Sequence, residues 1–144
     1  MMVEQISVFL ENKPNRLFRV TEALREADIN LRAAMIAETG DFGIVRAIVD
    51  DPDAAIRALH ERSFTAKKTN VVGVQVEDGP GGLCDIAQVL GAEEINIQYL
   101  YAFSLAGMKK ALLILKTSDN ERSRRVITDR LGLTIVNQAD INAL

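Results

Sequence analysis

Two short segments of the 144-residue chain carry most of its chemistry: Glu11-Asn12-Lys13-Pro14-Asn15-Arg16-Leu17 and Glu77-Asp78-Gly79-Pro80-Gly81-Gly82-Leu83. Each stands between an alternating apolar stretch and one with helical spacing, so each is expected to lead into the N-terminus of a helix. Backbone N–H groups are unpaired there and carry partial positive charge, which favours a carboxylate or phosphate. Gly79, Gly81 and Gly82 allow close approach to the backbone, and the Asp78 carboxylate can pair with an ammonium group. The second segment thus offers a partner to both ends of a free amino acid. Proline and glycine between a strand and a helix are also ordinary turn chemistry, and spacing alone does not separate the two readings. Asn30 and Asn96, at matching starts of a later strand, add a polar pair, although asparagine after a helix is equally a stop residue.

The elements that must position these residues occur twice. Adding 66 to a position in the first half lands on a like residue: Val8 and Val74, Pro14 and Pro80, Leu24 and Leu90, Asn30 and Asn96, Ile48 and Ile114, Asp53 and Asp119. Such self-similarity marks a repeated fold. Each half opens with a period-two strand, Ile6, Val8, Leu10 or Val72, Val74, Val76. A proline then marks the helix start, with Asn12 or Asp78 upstream as a possible cap. Helical stripes follow, Leu17, Val20, Leu24, Ala27 and Leu83, Ile86, Ala87, Leu90. Strands over 31–37 and 97–103 enter hairpins at Gly40 and Gly107. The next strands, 44–49 and 111–115, are almost continuously apolar, as suits a position covered on both faces. Second helices over 53–62 and 119–131 and last strands over 64–68 and 134–137 complete βαββαβ twice. The predicted fold class is α+β, two ferredoxin-like units packed side by side, with antiparallel sheets and helices on one face. The predicted units are residues 1–68 and 69–144, with no Gly, Ser or Pro-rich linker between them.

Composition narrows the functions. With 48% hydrophobic and 26% charged residues the chain has ordinary globular character. A net charge of -3 gives no help to binding DNA or an anionic membrane. Glu4 interrupts the first apolar stretch and no basic region precedes it, so no signal peptide is expected. No apolar run reaches the roughly 20 residues of a membrane span. The lone Cys84 forms no disulfide within the chain and has no CxxC partner, which points to a reducing cytoplasm and to no metal site or cofactor.

The segments ENKPNRL with Ile29-Asn30-Leu31, and EDGPGGL with Ile95-Asn96-Ile97, resemble the ACT domain, and their tandem arrangement is similar to small stand-alone double-ACT proteins. The resemblance covers nearly the whole chain. It implies that units pair side by side and that amino acids bind at the junction between them. Carried over by position, Asn12 and Asp78 are the polar loop residues, Gly81 the close-approach glycine, and Asn30 and Asn96 the strand residues facing the ligand. Asn15 departs from the family's usual glycine, so the second repeat is expected to carry most of the ligand contact.

Other features have plainer readings. Tyr99, Tyr101 and Phe103 share one strand face and are expected to pack an interface between sheets or subunits rather than touch ligand. His60 lies among Arg57, Glu61 and Arg62, on a solvated helix face, and Cys84 is expected to be a small buried side chain. Arginines 122, 124 and 125 lie among acidic residues on another solvated face. An RNA-binding unit of this topology needs aromatics on its central strands, which are absent. A phosphate-cradling enzyme needs an arginine in the loop, but the repeat partner of Arg16 is Gly82, and no nucleophile and base stand together. The expected function is a non-catalytic, amino-acid-binding regulatory module that forms a homodimer and regulates a metabolic enzyme in trans. The alternative is a ligand-free structural or assembly subunit of a metabolic enzyme complex.

Overall fold

The computed structural model describes residues 2–105, 107 and 109–144; Met1, Ala106 and Met108 lie outside the described residues. The chain divides into two compact units, one of residues 4–69 and one of residues 70–144 together with the first three residues.

The N-terminal unit runs β1 (Val3–Glu11), α1 (Arg16–Glu26), β2 (Leu31–Thr39), β3 (Phe42–Val49), α2 (Pro52–Glu61) and the start of β4 (Thr65–Glu77). Its strand order is β4-β1-β3-β2, with β3 antiparallel to both neighbours. Side chains alternate across the sheet. Ile6, Val8, Leu10, Val45, Ala47 and Val49 point to the helices and form a core with Val20, Ala23 and Leu24 of α1 and Ala55 and Leu59 of α2. Asp51 caps α2, its carboxylate accepting from the Ala54 N–H at 3.1 Å.

In the C-terminal unit the later part of β4 serves as first strand, followed by α3 (Gly82–Ala92), β5 (Ile97–Ser104), β6 (Lys110–Thr117), α4 (Asn120–Leu131) and β7 (Thr134–Val136). Strand order is β7-β4-β6-β5, with antiparallel pairing throughout. Val72, Val74, Val76, Leu113 and Leu115 close on Ile86, Leu90 and Ile127. A short helix, α5 (Gln138–Asn142), follows; it is fastened by a capping box between Asn137 and Asp140 and buries Ile141. Both units are βαββαβ, so the chain is α+β with two ferredoxin-like units.

The structure corrects several details of the sequence reading. The last strand of the first unit and the first strand of the second are one uninterrupted β4. The offset of 66 holds only to the β2–β3 hairpin, because the β5–β6 hairpin is two residues longer. Met35 pairs with Arg46 and Tyr101 with Ile114, so the counterpart of Ile114 is Arg46, and the cap Asp119 matches Asp51 rather than Asp53. A further residue enters with the longer α4, where Ser63 and Gly132 share the left-handed turn after the helix at φ 65° and 63°. Leu17, Leu83 and Ala87 lie outside the cores; the two leucines sit in first turns and remain 42% exposed each. Cys84, in the same turn as Leu83, is also exposed.

Lys68 stands between Glu4 at 2.9 Å and Asp53 at 2.6 Å. Its hydrogen bond, with its charge, holds the Asp53 carboxyl below the ordinary 3.8. A depressed carboxyl contributes stability at pH values above its unfolded pKa and loses it as pH falls through the folded one. Lys68→Met should therefore raise the Asp53 midpoint toward 3.8, read by carboxyl NMR titration. An unmoved midpoint would show that the pair is not formed in solution.

Candidate functional site

The two loops before α1 and α3 share a backbone design. Asn12 and Asp78 donate their N–H groups to the Asp41 and Lys109 carbonyls, at 2.8 and 2.9 Å, which ties each loop to the neighbouring hairpin. Lys13 and Gly79 donate back to the Glu11 and Glu77 carbonyls at 2.9 and 3.0 Å. Each helix then starts from a left-handed residue, Asn15 at φ 71° and Gly81 at φ 96°, with no side-chain cap. Asn12 and Asp78 are therefore not the caps expected of them; the caps fall three residues later, beyond each proline.

The side chains differ between copies. The Asn12 amide donates to the Gly40 carbonyl at 2.9 Å, so it serves the hairpin. The Asp78 carboxylate takes no partner among the described residues. Glu11 is engaged by Lys13 at 2.9 Å and Arg16 at 3.1 Å, and Lys13 above all lowers its pKa. In the C-terminal unit the corresponding loop borders a recess of about 230 Å³, lined by Glu77, Gly79, Pro80, Gly82, Asp85 and Leu131 among others. A Cβ on Gly79 or Gly81 would meet nothing within 4 Å. Packing therefore does not require glycine at either position, and the backbone is open to close approach. Conformation does require it at Gly81, where Gly81→Ala should cost about 1–2 kcal/mol in urea unfolding. A change near zero would mean the left-handed turn is not kept in solution.

Asn30 and Asn96 lie elsewhere. Each immediately precedes the second strand of its unit, and its backbone is held by the side chain and the backbone N–H of the residue that follows the third. Asn30 N–H donates to Asp50 Oδ1 at 3.1 Å and its carbonyl accepts from Asp50 N–H at 3.2 Å. Asn96 does the same with Ser118, at 3.0 and 2.9 Å. The loops and these asparagines thus occupy opposite ends of each sheet, about 25 Å apart along a nine-residue strand. Within one unit the structure does not bring Asp78, Gly79 and Gly81 together with Asn96, or Asn12 with Asn30.

Tyr99, Tyr101 and Phe103 share the face away from the helices, paired with Lys116, Ile114 and Leu112. Tyr101 is buried, and its neighbours Tyr99 and Phe103 are half-buried. His60 is exposed, with Nε2–H donating to the Ala66 carbonyl at 2.9 Å. Among the described residues no group of His, Cys, Asp or Glu is placed to hold a metal ion, and no helix is long and apolar enough to cross a membrane.

Sequence comparison decides the family, since a model of the ACT domain pair matches residues 1–144. The chain belongs to the ACT domain-pair family. Protein BT0572 from Bacteroides thetaiotaomicron is 38% identical, with a TM-score of 0.91 over all of this ACT pair and 98% of that chain. The structure of aspartokinase alpha and beta subunits is 22% identical, with a TM-score of 0.58 over 88% of this chain and 90% of the other. The ligand-free regulatory subunit of aspartate kinase from Thermus thermophilus is 15% identical, with a TM-score of 0.62 over 89% and 91%. At the two lower identities the likeness is one of fold. No curated protein matches the chain.

Around the N-terminal loop, Arg16 was weighed from the sequence and set aside, and Phe9, Phe42 and Arg19 were not singled out. Their signal was the contrast between repeats: Phe9 against Gln75, Arg19 against Asp85.

Proposed function

We propose that this ACT domain pair is a non-catalytic, cytoplasmic module that binds a free amino acid, assembles as a homodimer and regulates a metabolic enzyme in trans. The observation that carries this reading is the C-terminal loop. It joins an Asp78 carboxylate without a partner among the described residues, the open backbone at Gly79 and Gly81, and the first-turn N–H groups of Gly82, Leu83 and Cys84, which precede the first intrahelical bond from Asp85 to Gly81. Carboxylate and ammonium of an amino acid each find a counterpart there. The far position of Asn30 and Asn96 adds a condition: a site that uses them takes its loop from one unit and its asparagine from another. Tyr99, Tyr101 and Phe103 are the proposed interface. If ligand orders such a junction, binding and assembly are linked and the ligand reports to a partner. The regulatory role described for the Thermus thermophilus subunit accords with this at the level of fold.

A thermal-shift panel of the common amino acids tests the reading. A ligand at about 100 times its Kd stabilises the native state by roughly 2.7 kcal/mol, so one amino acid should raise the Tm clearly. Asp78→Ala and Asn96→Ala should each weaken that binding. If no amino acid raises the Tm, the ligand-free assembly subunit becomes the better reading.

A further inference from the structure

The N-terminal unit holds a recess of about 490 Å³ between the end of β1, the first turns of α1 and the segment after α2. That volume is in the range of small-molecule sites. Its lining sets Phe9, Phe42 and Phe64 beside Arg16, Arg19 and Arg62. Phe9 and Phe42 stack with centroids 5.1 Å apart, yet stay 46% and 44% exposed, so the pair presents flat π surface to solvent. Arg16 is steadied by Glu11 at 3.1 Å, and Arg62 by Glu22 at 3.1 Å and by Glu26. A guanidinium has five N–H donors, so both retain donors while held. Arg19 has no partner among the described residues. With Lys13 on Glu11, the cluster of four cations and three carboxylates is net positive.

The C-terminal unit supplies an internal control. Its smaller recess lies at the same place in the repeat, where Leu10, Glu11, Arg16, Arg19, Arg62 and Phe64 become Val76, Glu77, Gly82, Asp85, Leu131 and Leu133. Phe9 becomes Gln75 and Phe42 becomes Lys110. The same fold forms without the arginines or the phenylalanines, so the scaffold does not require them.

We infer that the N-terminal recess is a second ligand site, for a small flat organic anion whose ring lies on the Phe9–Phe42 pair and whose carboxylate or phosphate is held by Arg16 and Arg19. Arginine forks suit either group. The site is separate from the amino-acid site and does not rest on it.

Calorimetric titration of the full chain with benzoate and with AMP, mapped by amide NMR, tests this. At least one probe should saturate, with shifts at Arg16, Arg19, Ser63 and Thr65. Arg19→Asp and Phe9→Gln, each the residue of the other repeat, should weaken binding about tenfold, or about 1.4 kcal/mol, with the amide spectrum otherwise kept. Arg122→Ala, on α4 of the other unit, should leave it unchanged. Tighter binding of AMP would assign phosphate and of benzoate carboxylate, and either supports the site. No saturation by either probe would overturn it, as would affinity that survives both N-terminal variants. Adenosine or inorganic phosphate binding as tightly as AMP would remove the joint role of ring and anion. Concentration-dependent shifts at the same residues without ligand would mark a second copy of the chain in the recess and equally refute the proposal.

Discussion

Gly73→Val should destabilise the C-terminal unit by about 3 kcal/mol or more, and Gly73→Ala by about 1–3 kcal/mol. Gly73 sits inside β4, opposite Ile114 of β6 on one side and Val136 of β7 on the other. A Cβ built there would lie 2.6 Å from the Val136 Cγ2 and 2.9 Å from the Val3 Cγ2. Both valines are buried, so neither methyl can swing into solvent to make room. Relief would have to come from moving β7 or the start of β1. Urea unfolding gives the loss, and faster amide exchange at Val74 and Leu113 would place it in this unit. Unchanged stability would show that Val3 and Val136 do not close over Gly73.

Leu90→Ala should cost about 2–5 kcal/mol, while Leu83→Ala, seven residues earlier on α3, should stay within about 0.5 kcal/mol. Leu90 is fully buried against the sheet with Ile86, whereas Leu83 is 42% exposed. Truncating Leu90 leaves a cavity among Val74, Leu115 and Ile127 that a packed core cannot collapse into fully. Truncating Leu83 removes surface that water already reaches. Equal losses for the two would mean that the helix packs in a different phase.

The contrast also shows what was legible in the sequence. Period-two strands such as Ile6, Val8, Leu10 and the stripe Val20, Leu24 declare their buried faces, because alternation and helical spacing are local consequences of backbone geometry. The doubled βαββαβ order followed from them, and the family from the resemblance of the two loop segments and their Ile-Asn dipeptides to the ACT domain. Leu17 and Leu83 head the apolar stripes yet lie outside the cores, since helical spacing gives the side of a helix but not where the sheet beneath it ends. The register slip at the hairpin was hidden by chance identities, Ile48 with Ile114 and Asp53 with Asp119. Gly73 looked like any small residue in a strand; its need arises from Val3 and Val136, remote in sequence. At the site, the αL turn at Gly81 was readable from glycine itself, but Asn15 adopting the same turn was not. Nor could spacing reveal that Asn12 is spent on Gly40, or that the asparagines just before β2 and β5 lie a strand's length from the loops.

The doubled unit is therefore even in scaffold and uneven in chemistry. The N-terminal loop is closed by Asn12 and crowded with ion pairs, and the C-terminal loop is open at Asp78, Gly79 and Gly81. The most direct test is an amide NMR titration of the whole chain with the amino acid that most raises its Tm. The expected result is saturable shifts at Asp78, Gly79, Gly81 and Gly82, weakened by Asp78→Ala, with Lys13 and Asn15 unmoved. Shifts confined to the 12–15 loop, or no shifts at either loop, would contradict it.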